Sequence, residues 1–467
     1  MDDWKTPPPG YTADETRTGW RRKWPVVTLF SAVGVILLGA AIAWTYVVHF
    51  RDFPPDVADP SALAWPLPEE PSVVVLPIAA VTSTDRDILL AERYGDDLIE
   101  LFSRVPGLFV ISPETSSRFG GGQFRIKSTA EQLGVRFLIT GNLSRAGTKY
   151  RVLLKVIDAF SGEPEWVKDF DVEPERLFEV SLKALPRMLD AMDVDLEDDQ
   201  LAALRALAPS DPSAWIAFAE AVAYRVVDDR ESMANSLARL KQAHEADPEW
   251  AGPAREIAWT YLNAARRGWT GLDSPDAEDL ARKGLRYADA LIDRDPTDPF
   301  GPARKAALLR EIDGDTEATL GLWREAARLG PNVFAIQWEH AQALIRAGRR
   351  AEALPVMKRA LRVHPRHPVA LAQELAELEF AAGDPEVAFA SLAEVIKIRP
   401  AAEDPRLMRI FLLATMNRTA EAEAEAGEFL SLHSDFSFAA WSERQGRRGR
   451  PTRLDWRDTL LRIGIPE

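Results

Sequence analysis

Several clusters in this chain have residue types that could do chemistry. His244-Glu245 opens as a zincin helix would, with an imidazole for zinc and a carboxylate for the base, but the second His four residues on is missing. His364 and His367 flank Pro365 at a spacing that could hold a metal, and a solvated turn is the expected reading. Phe119-Gly120-Gly121-Gly122-Gln123 is glycine-rich, yet it lacks the Lys and following Ser or Thr of a phosphate loop, so a flexible loop is expected. Asp193, Asp195, Glu197 and Asp199 imitate the start of a calcium loop. The obligatory Gly of that loop is Asp198 here and its bidentate Glu is Leu204, so the acids fit a helix N-terminus better. Asp96 and Asp97 could pose as paired acids; with no convergent partner they read as a solvated helix face.

The remaining catalytic chemistries lack their residues. No G-x-S-x-G occurs, and the six histidines lie in one apolar run or among helical repeats. The chain has no Cys, which excludes thiol nucleophiles, disulfides, Cys-ligated zinc and iron–sulfur clusters. A formal charge of -15 opposes nucleic acid, whose phosphates need a basic face. No catalytic residue, cofactor or metal is assigned, and the chain is not expected to be an enzyme.

Residues 24–50 carry no charged side chain across 27 positions, which exceeds the roughly 20 residues that span a bilayer core. Arg17, Arg21, Arg22 and Lys23 precede this run, whereas Arg51 followed by Asp52, Asp56 and Asp59 trails it. Basic flanks stay cytoplasmic, so the expectation is a single-pass anchor in the cytoplasmic membrane, N-terminus inside and the bulk of the chain periplasmic. A cleaved signal peptide fits less well: the run is about twice a normal apolar region, and the best cleavage pattern, Ala62-Leu63-Ala64, lies too far downstream. Gly39 and Ala43 form a small-xxx-small pair, which allows a homo-oligomer through this helix. The six prolines of residues 51–71 predict an extended spacer.

Residues 72–172 read as an α/β unit. A β-branched strand is predicted over 72–78, a helix over 87–105, a second strand over 107–112, and a short helix over 128–133 capped by Ser128 and stopped by Gly134. Strands at 135–144 and 150–159, joined by a hairpin turn, and a third around 166–170 complete it. Connecting helices are expected over 173–210. Beyond them, Pro296, Pro331, Pro365 and Pro400 recur at intervals of 35, 34 and 35, with Gly314, Gly348 and Gly383 in phase. That period is the signature of tetratricopeptide repeats, pairs of antiparallel helices. Small residues recur where such helices approach: Ala341, Ala353 and Ala360, then Ala307, Thr319 and Ala326, then Ala376, Ala388 and Val395. Asn417 and Ala422 continue the phase, and residues 268–274 look like an extra loop. About six hairpins over 211–436 are predicted, with a capping segment at 437–467.

A family resemblance rests on Val74-Val75-Leu76-Pro77, Gly95-Asp96-Asp97-Leu98-Ile99, and the run from Phe102 through Pro106-Gly107 to Ile111. It continues in Glu131-Gln132-Leu133-Gly134-Val135-Arg136-Phe137-Leu138, Gly141, Ile157-Asp158-Ala159, Ser161-Gly162 and the ending Leu461-Arg462-Ile463-Gly464-Ile465-Pro466-Glu467. These resemble the TolB-like domain with tetratricopeptide repeats found behind bacterial class III adenylate cyclases and some winged-helix activators. The resemblance implies a TolB-like α/β domain followed by an all-α solenoid. In those relatives a cyclase or DNA-binding domain precedes the membrane segment; here 23 residues do, too few to fold as either.

The expected function is a membrane-anchored, non-catalytic scaffold that displays this module outside the cytoplasmic membrane and binds a protein or peptide of the bacterial envelope. The alternative is a sensor subunit signalling to a separate cytoplasmic adenylate cyclase or transcription regulator. First helices, at 215–224, 256–261, 303–309, 337–344 and 371–378, should line the binding surface. Its candidate contacts are Arg304, Lys305, Gln337, Glu339, His340, Gln373 and Glu374.

Overall fold

The computed structural model describes residues 56–81, 84–120, 124–224, 229–269, 272–447 and 454–467. The tail 1–23, the uncharged run 24–50 and residues 51–55 lie outside these. Among the described residues no helix is long and apolar enough to cross a membrane. The chain divides into two compact units at Val57/Ala58, and the sheet and all described helices belong to the second.

The sheet holds β1 (Ser72–Val75), β2 (Ala79–Ala80), β3 (Phe109–Val110), β4 (Phe137–Ala146), β5 (Lys149–Asp158) and β6 (Pro164–Val172), in the order β3-β1-β4-β5-β6 with β2 beside β4. β1 pairs in parallel with β3 and β4, and every residue of it is buried, as its uninterrupted β-branched run requires. The strand expected over 72–78 breaks at Pro77, which has no N–H to donate; the chain re-enters the sheet at β2. β4 and β5 form a long antiparallel hairpin around Gly147 and Thr148. Alternate residues Val152, Leu154 and Val156 face the core.

Helix α1 (Asp85–Ser103) turns Leu90, Tyr94, Leu98 and Phe102 onto the sheet. A short α2 (Pro113–Ser116) follows. α3 (Ile126–Leu133) begins before Ser128, which therefore lies inside the helix and not at its cap. Glu131, the expected reciprocal partner of that cap, instead accepts from the Asp59 backbone at 3.0 Å. Gly134 ends α3 at φ 63°, and a Cβ there would lie 2.5 Å from the Trp65 carbonyl oxygen. Residues 58–66 are thus no free spacer. Ala58 donates to Ala159 and Ala64 to Glu131, which lays this proline-containing segment against the α/β unit.

α4 (Leu177–Asp190) completes the cover of one sheet face, and α5 (Asp198–Arg205) starts from a capping box of Glu197 and Gln200. The acids near 193–199 thus include the start of a helix, as expected. Six antiparallel hairpins follow among the described residues: α6/α7 (Pro212–Ala223, Arg230–Ala246), α8/α9 (Ala251–Arg266, Ala277–Arg294), α10/α11 (Phe300–Asp313, Glu317–Leu329), α12/α13 (Phe334–Arg346, Arg350–Val363), α14/α15 (Val369–Ala381, Pro385–Ile398) and α16/α17 (Glu403–Thr415, Thr419–Leu432). The extra loop falls between α8 and α9. Inside the later hairpins the chain turns through a left-handed residue: Gly314, Gly348, Gly383, and then Asn417 at φ 59°, the non-glycine that tolerates it best. The small residues of the repeat pattern are all buried, from Ala307 to Val395.

α18 (Phe438–Arg447) and α19 (Arg457–Arg462) close the C-terminal end. Three cores result. One runs from one sheet face through the fourth hairpin to Leu371 and Leu378; a second joins the last two hairpins to the C-terminal segment; a third packs the other sheet face, with Val74, Phe109 and Leu138, against α3 and Val363 of the fourth hairpin.

Candidate interaction surfaces

The turns between successive hairpins meet the α/β unit along one edge of the solenoid. Before α10, the fully buried Asp298 accepts from Arg255 of α8 at 2.8 Å and pairs with Arg104, just beyond α1, at 2.9 Å. Arg255 also binds Glu100 of α1 at 2.6 Å. Burial opposes the charge of Arg255, but Asp298 and Glu100 outweigh it and hold its pKa above the ordinary value. Burial likewise penalises Asp298, and the two arginines overcome it, so its carboxyl is held below the usual range. On α6, Trp215 donates its indole N–H to the buried Asp97 at 2.7 Å.

The next two turns repeat the contact with different chemistry. Asn332 donates to the Leu108 carbonyl at 2.7 Å and accepts from Arg359 at 2.9 Å. Ser112 donates to the Val363 carbonyl at 2.8 Å, and Thr115 Oγ1 lies 2.6 Å from His364 Nδ1. Arg362 donates to the carbonyls of Leu133, Gly134 and Pro66, with its guanidinium 4.4 Å from the Phe109 ring centroid. His364 is therefore buried at a domain junction and is not the solvated turn expected; burial, then His367 and Arg118, lower its pKa to about 4. Asp96 and Asp97 also part company: Asp96 is exposed, while Asp97 is buried between Arg93 and Trp215. His244 packs edge-on against Tyr287. Among the described residues no group of His, Asp and Glu is placed to hold a metal.

The first helices of neighbouring hairpins are linked by polar contacts. Arg266 of α8 reaches Glu311 at 3.0 Å and Glu339 of α12 at 3.5 Å; Arg310 of α10 reaches Glu339 at 3.5 Å. Gln342 of α12 donates to Glu374 of α14 at 2.7 Å. Of the seven candidate contacts, five are half-buried here or nearby. Lys305 pairs with Asp289 at 2.7 Å, Arg304 lies over the Phe300 ring, Gln373 donates to Glu377, and Glu339 and Glu374 join the links just described.

The other two are buried. Gln337 donates to the carbonyls of Ala327 and Gly330, satisfying acceptors that the end of α11 leaves open. His340 is only 6% exposed, and burial followed by the charge of Arg324 lowers its pKa to about 4. Neither offers its polar group to a partner at a surface. The junction residues Arg104, Arg255, Asp298, Asn332, Arg359 and Arg362 escaped sequence reasoning. Asp298, Asn332 and Arg366 recur at intervals of 34 at the turns between hairpins, but that spacing alone does not tell a buried polar residue from an exposed one.

These features define a class: a small α/β unit built into a tetratricopeptide-type solenoid. No family model matches the chain. It is 25% identical over 258 residues to "Putative adenylate cyclase 3" of Rhizobium meliloti (strain 1021), a match covering 55% of this chain and 43% of that protein. The chain therefore spans less than half of that relative. Among solved structures, a thermophilic TPR protein of Thermus thermophilus, TTC0263, is similar at 17% identity, with 43% of this chain and 98% of that one covered and a TM-score of 0.31. YrrB, a TPR protein with an unusual peptide-binding site, is similar at 16% identity over 38% of this chain and 92% of that one, with a TM-score of 0.28. MamA of Desulfovibrio magneticus RS-1 is 16% identical over 39% of this chain and 98% of that one, with a TM-score of 0.31. Scores this low carry no argument about shape, and the repeat assignment stands on the period and the six hairpins.

Proposed function

We propose that this chain is a non-catalytic scaffold, held in the cytoplasmic membrane by residues 24–50, which presents a TolB-like α/β unit and its repeats on the periplasmic side to a protein or peptide of the envelope. The observation that carries the reading is the division of labour around the solenoid. One edge is occupied by the α/β unit, whereas the first-helix side keeps Lys305, Glu339, Gln342, Gln373 and Glu374 partly accessible. Stacked hairpins commonly hold an extended peptide or helix on that side.

A photo-crosslinker at Lys305 or Gln373 in cells should trap one defined protein, and the same probe at Arg328 on the second-helix side should not. Identical adducts at all three positions, or none at any, would sink the reading. Topology is tested separately: a reporter active only outside the cytoplasm should work after Glu467 and fail before Trp24.

The similarity to a protein named as an adenylate cyclase favours a second reading, a regulatory subunit that signals to a separate cytoplasmic cyclase or transcription regulator. That reading predicts a changed cyclic nucleotide level or transcription profile on deletion, with residues 1–23 required. Unchanged levels would remove it.

A further inference from the structure

We propose that the junction between the α/β unit and the fourth hairpin is a docking site for an acidic, extended polypeptide segment. The site is separate from the first-helix side, and its argument is independent of membrane topology. The chain carries 72 acidic against 57 basic residues, yet no Asp or Glu occurs between Glu114 and Glu131, or between Glu352 and Glu374. The first of these stretches holds Arg118, Arg125 and Lys127; the second holds Lys358, Arg359, Arg362 and Arg366.

Folding brings the two stretches together. Thr115 touches His364 at 2.6 Å, and the Arg366 guanidinium sits 5.0 Å from the Phe119 ring centroid. Arg118 is close enough to His364 and His367 that its charge adds to burial in lowering the pKa of both. Arg359 and Arg362 are hydrogen-bonded chiefly by carbonyl oxygens, which cancel no charge, and only Glu70 lies near enough to Arg359 to offset part of its charge. Lys127 and Lys358 are drawn to Glu131 at 3.9 Å and Glu379 at 3.2 Å, at the margins of the two stretches. Arg118, Arg125 and Arg366 are exposed and form no ion pair among the described residues. A concentrated positive field thus stands on a molecule that elsewhere repels anions.

The openness of these guanidiniums selects the ligand. One exposed Arg–carboxylate contact changes affinity by only a few-fold, so a single small anion would be held weakly. Carboxylates strung on one chain bind successively at high effective concentration, and the planar guanidinium matches each of them.

The test titrates the full-length chain into fluorescently labelled octaglutamate at low salt and reads anisotropy, with octaserine as the neutral probe. Octaglutamate should bind, octaserine should not, and added salt should weaken the complex. Reversing both exposed cations (Arg118→Glu with Arg366→Glu) should weaken binding at least about tenfold, the product of two lost attractions and two new repulsions. Reversing Arg187 and Arg328 instead changes net charge equally and should leave affinity within about twofold. The milder pair Arg118→Gln with Arg366→Gln should give an intermediate loss with an unchanged melting temperature. Equal weakening by both reversed pairs would reduce the effect to overall charge and overturn the proposal. So would octaglutamate binding no better than octaserine, or binding to phosphatidylglycerol vesicles with none to octaglutamate.

Discussion

The edge of the solenoid that the α/β unit covers and the solenoid's C-terminal end are closed by different means. Along the covered edge the α/β unit is joined through buried charge: Asp298 is shared by Arg255 and Arg104, and Asp97 accepts from Trp215. At the C-terminal end α18 and α19 close the stack with aromatic rings. Trp456 stacks on Phe411 with centroids 5.0 Å apart, and Trp441 packs against Phe438 while donating to Asp404. An apolar cap tolerates small shifts because burial has no direction. A buried ion triad tolerates few, since each charge must keep its partner. The N-terminal joint therefore fixes one alignment of the α/β unit against the repeats, and the C-terminal cap mainly covers apolar surface.

The largest effect should come from breaking the charged joint. Asp298→Ala removes the carboxylate that two guanidiniums share, leaving Arg255 to Glu100 and Arg104 to Asp295, and should cost about 3 kcal/mol in chemical denaturation, with the N-terminal core losing stability first. Trp441→Ala should cost about 3 kcal/mol and act on the C-terminal core alone, because that core is separate from the two that involve the sheet. A transition that moves as one block in both variants would erase that contrast.

Acid should separate the two regions again. His364 at the joint and His340 in the fourth hairpin have pKa values lowered to about 4, first by burial. Their unfolded values are higher, so the unfolded chain binds more protons as pH falls. Stability is complete above about pH 6.5 and is lost between there and about pH 4, by up to roughly 3 kcal/mol per site. His364→Gln should flatten part of that loss in a pH series of melting temperatures.

Smaller changes probe the repeats themselves. Gly348→Ala places a side chain at φ 74° and should cost about 1 kcal/mol, measured by urea denaturation. Smallest of all, Glu339→Gln on the first-helix side should alter stability by less than about 1 kcal/mol. Its effect should appear in crosslinking yield to the partner, which Arg328→Gln should leave alone.

Much of the repeat architecture was legible because its determinants are local and periodic. Prolines and left-handed turn residues mark the later hairpins, and small residues mark each of their close approaches. The buried strands were legible for the same reason, except where Pro77 cuts the first of them. The joint was not. Asp298 finds Arg104 almost two hundred positions away, and no local pattern distinguishes a charge destined for burial from one left in water. The same blindness placed Gln337 and His340 at the surface, although one caps the preceding helix and the other is packed inside. It also made residues 58–66 a spacer, since prolines predict extension but not whether the extended chain has something to lie against.

The most direct test of the joint is native-state hydrogen exchange on the full-length chain, with and without Asp298→Ala. Coupled loss of protection in α1, α8 and α10, with α16 to α19 unchanged, is the predicted result. Loss confined to α10, with α1 as protected as before, would contradict the claim that the α/β unit and the first hairpins are one structural body.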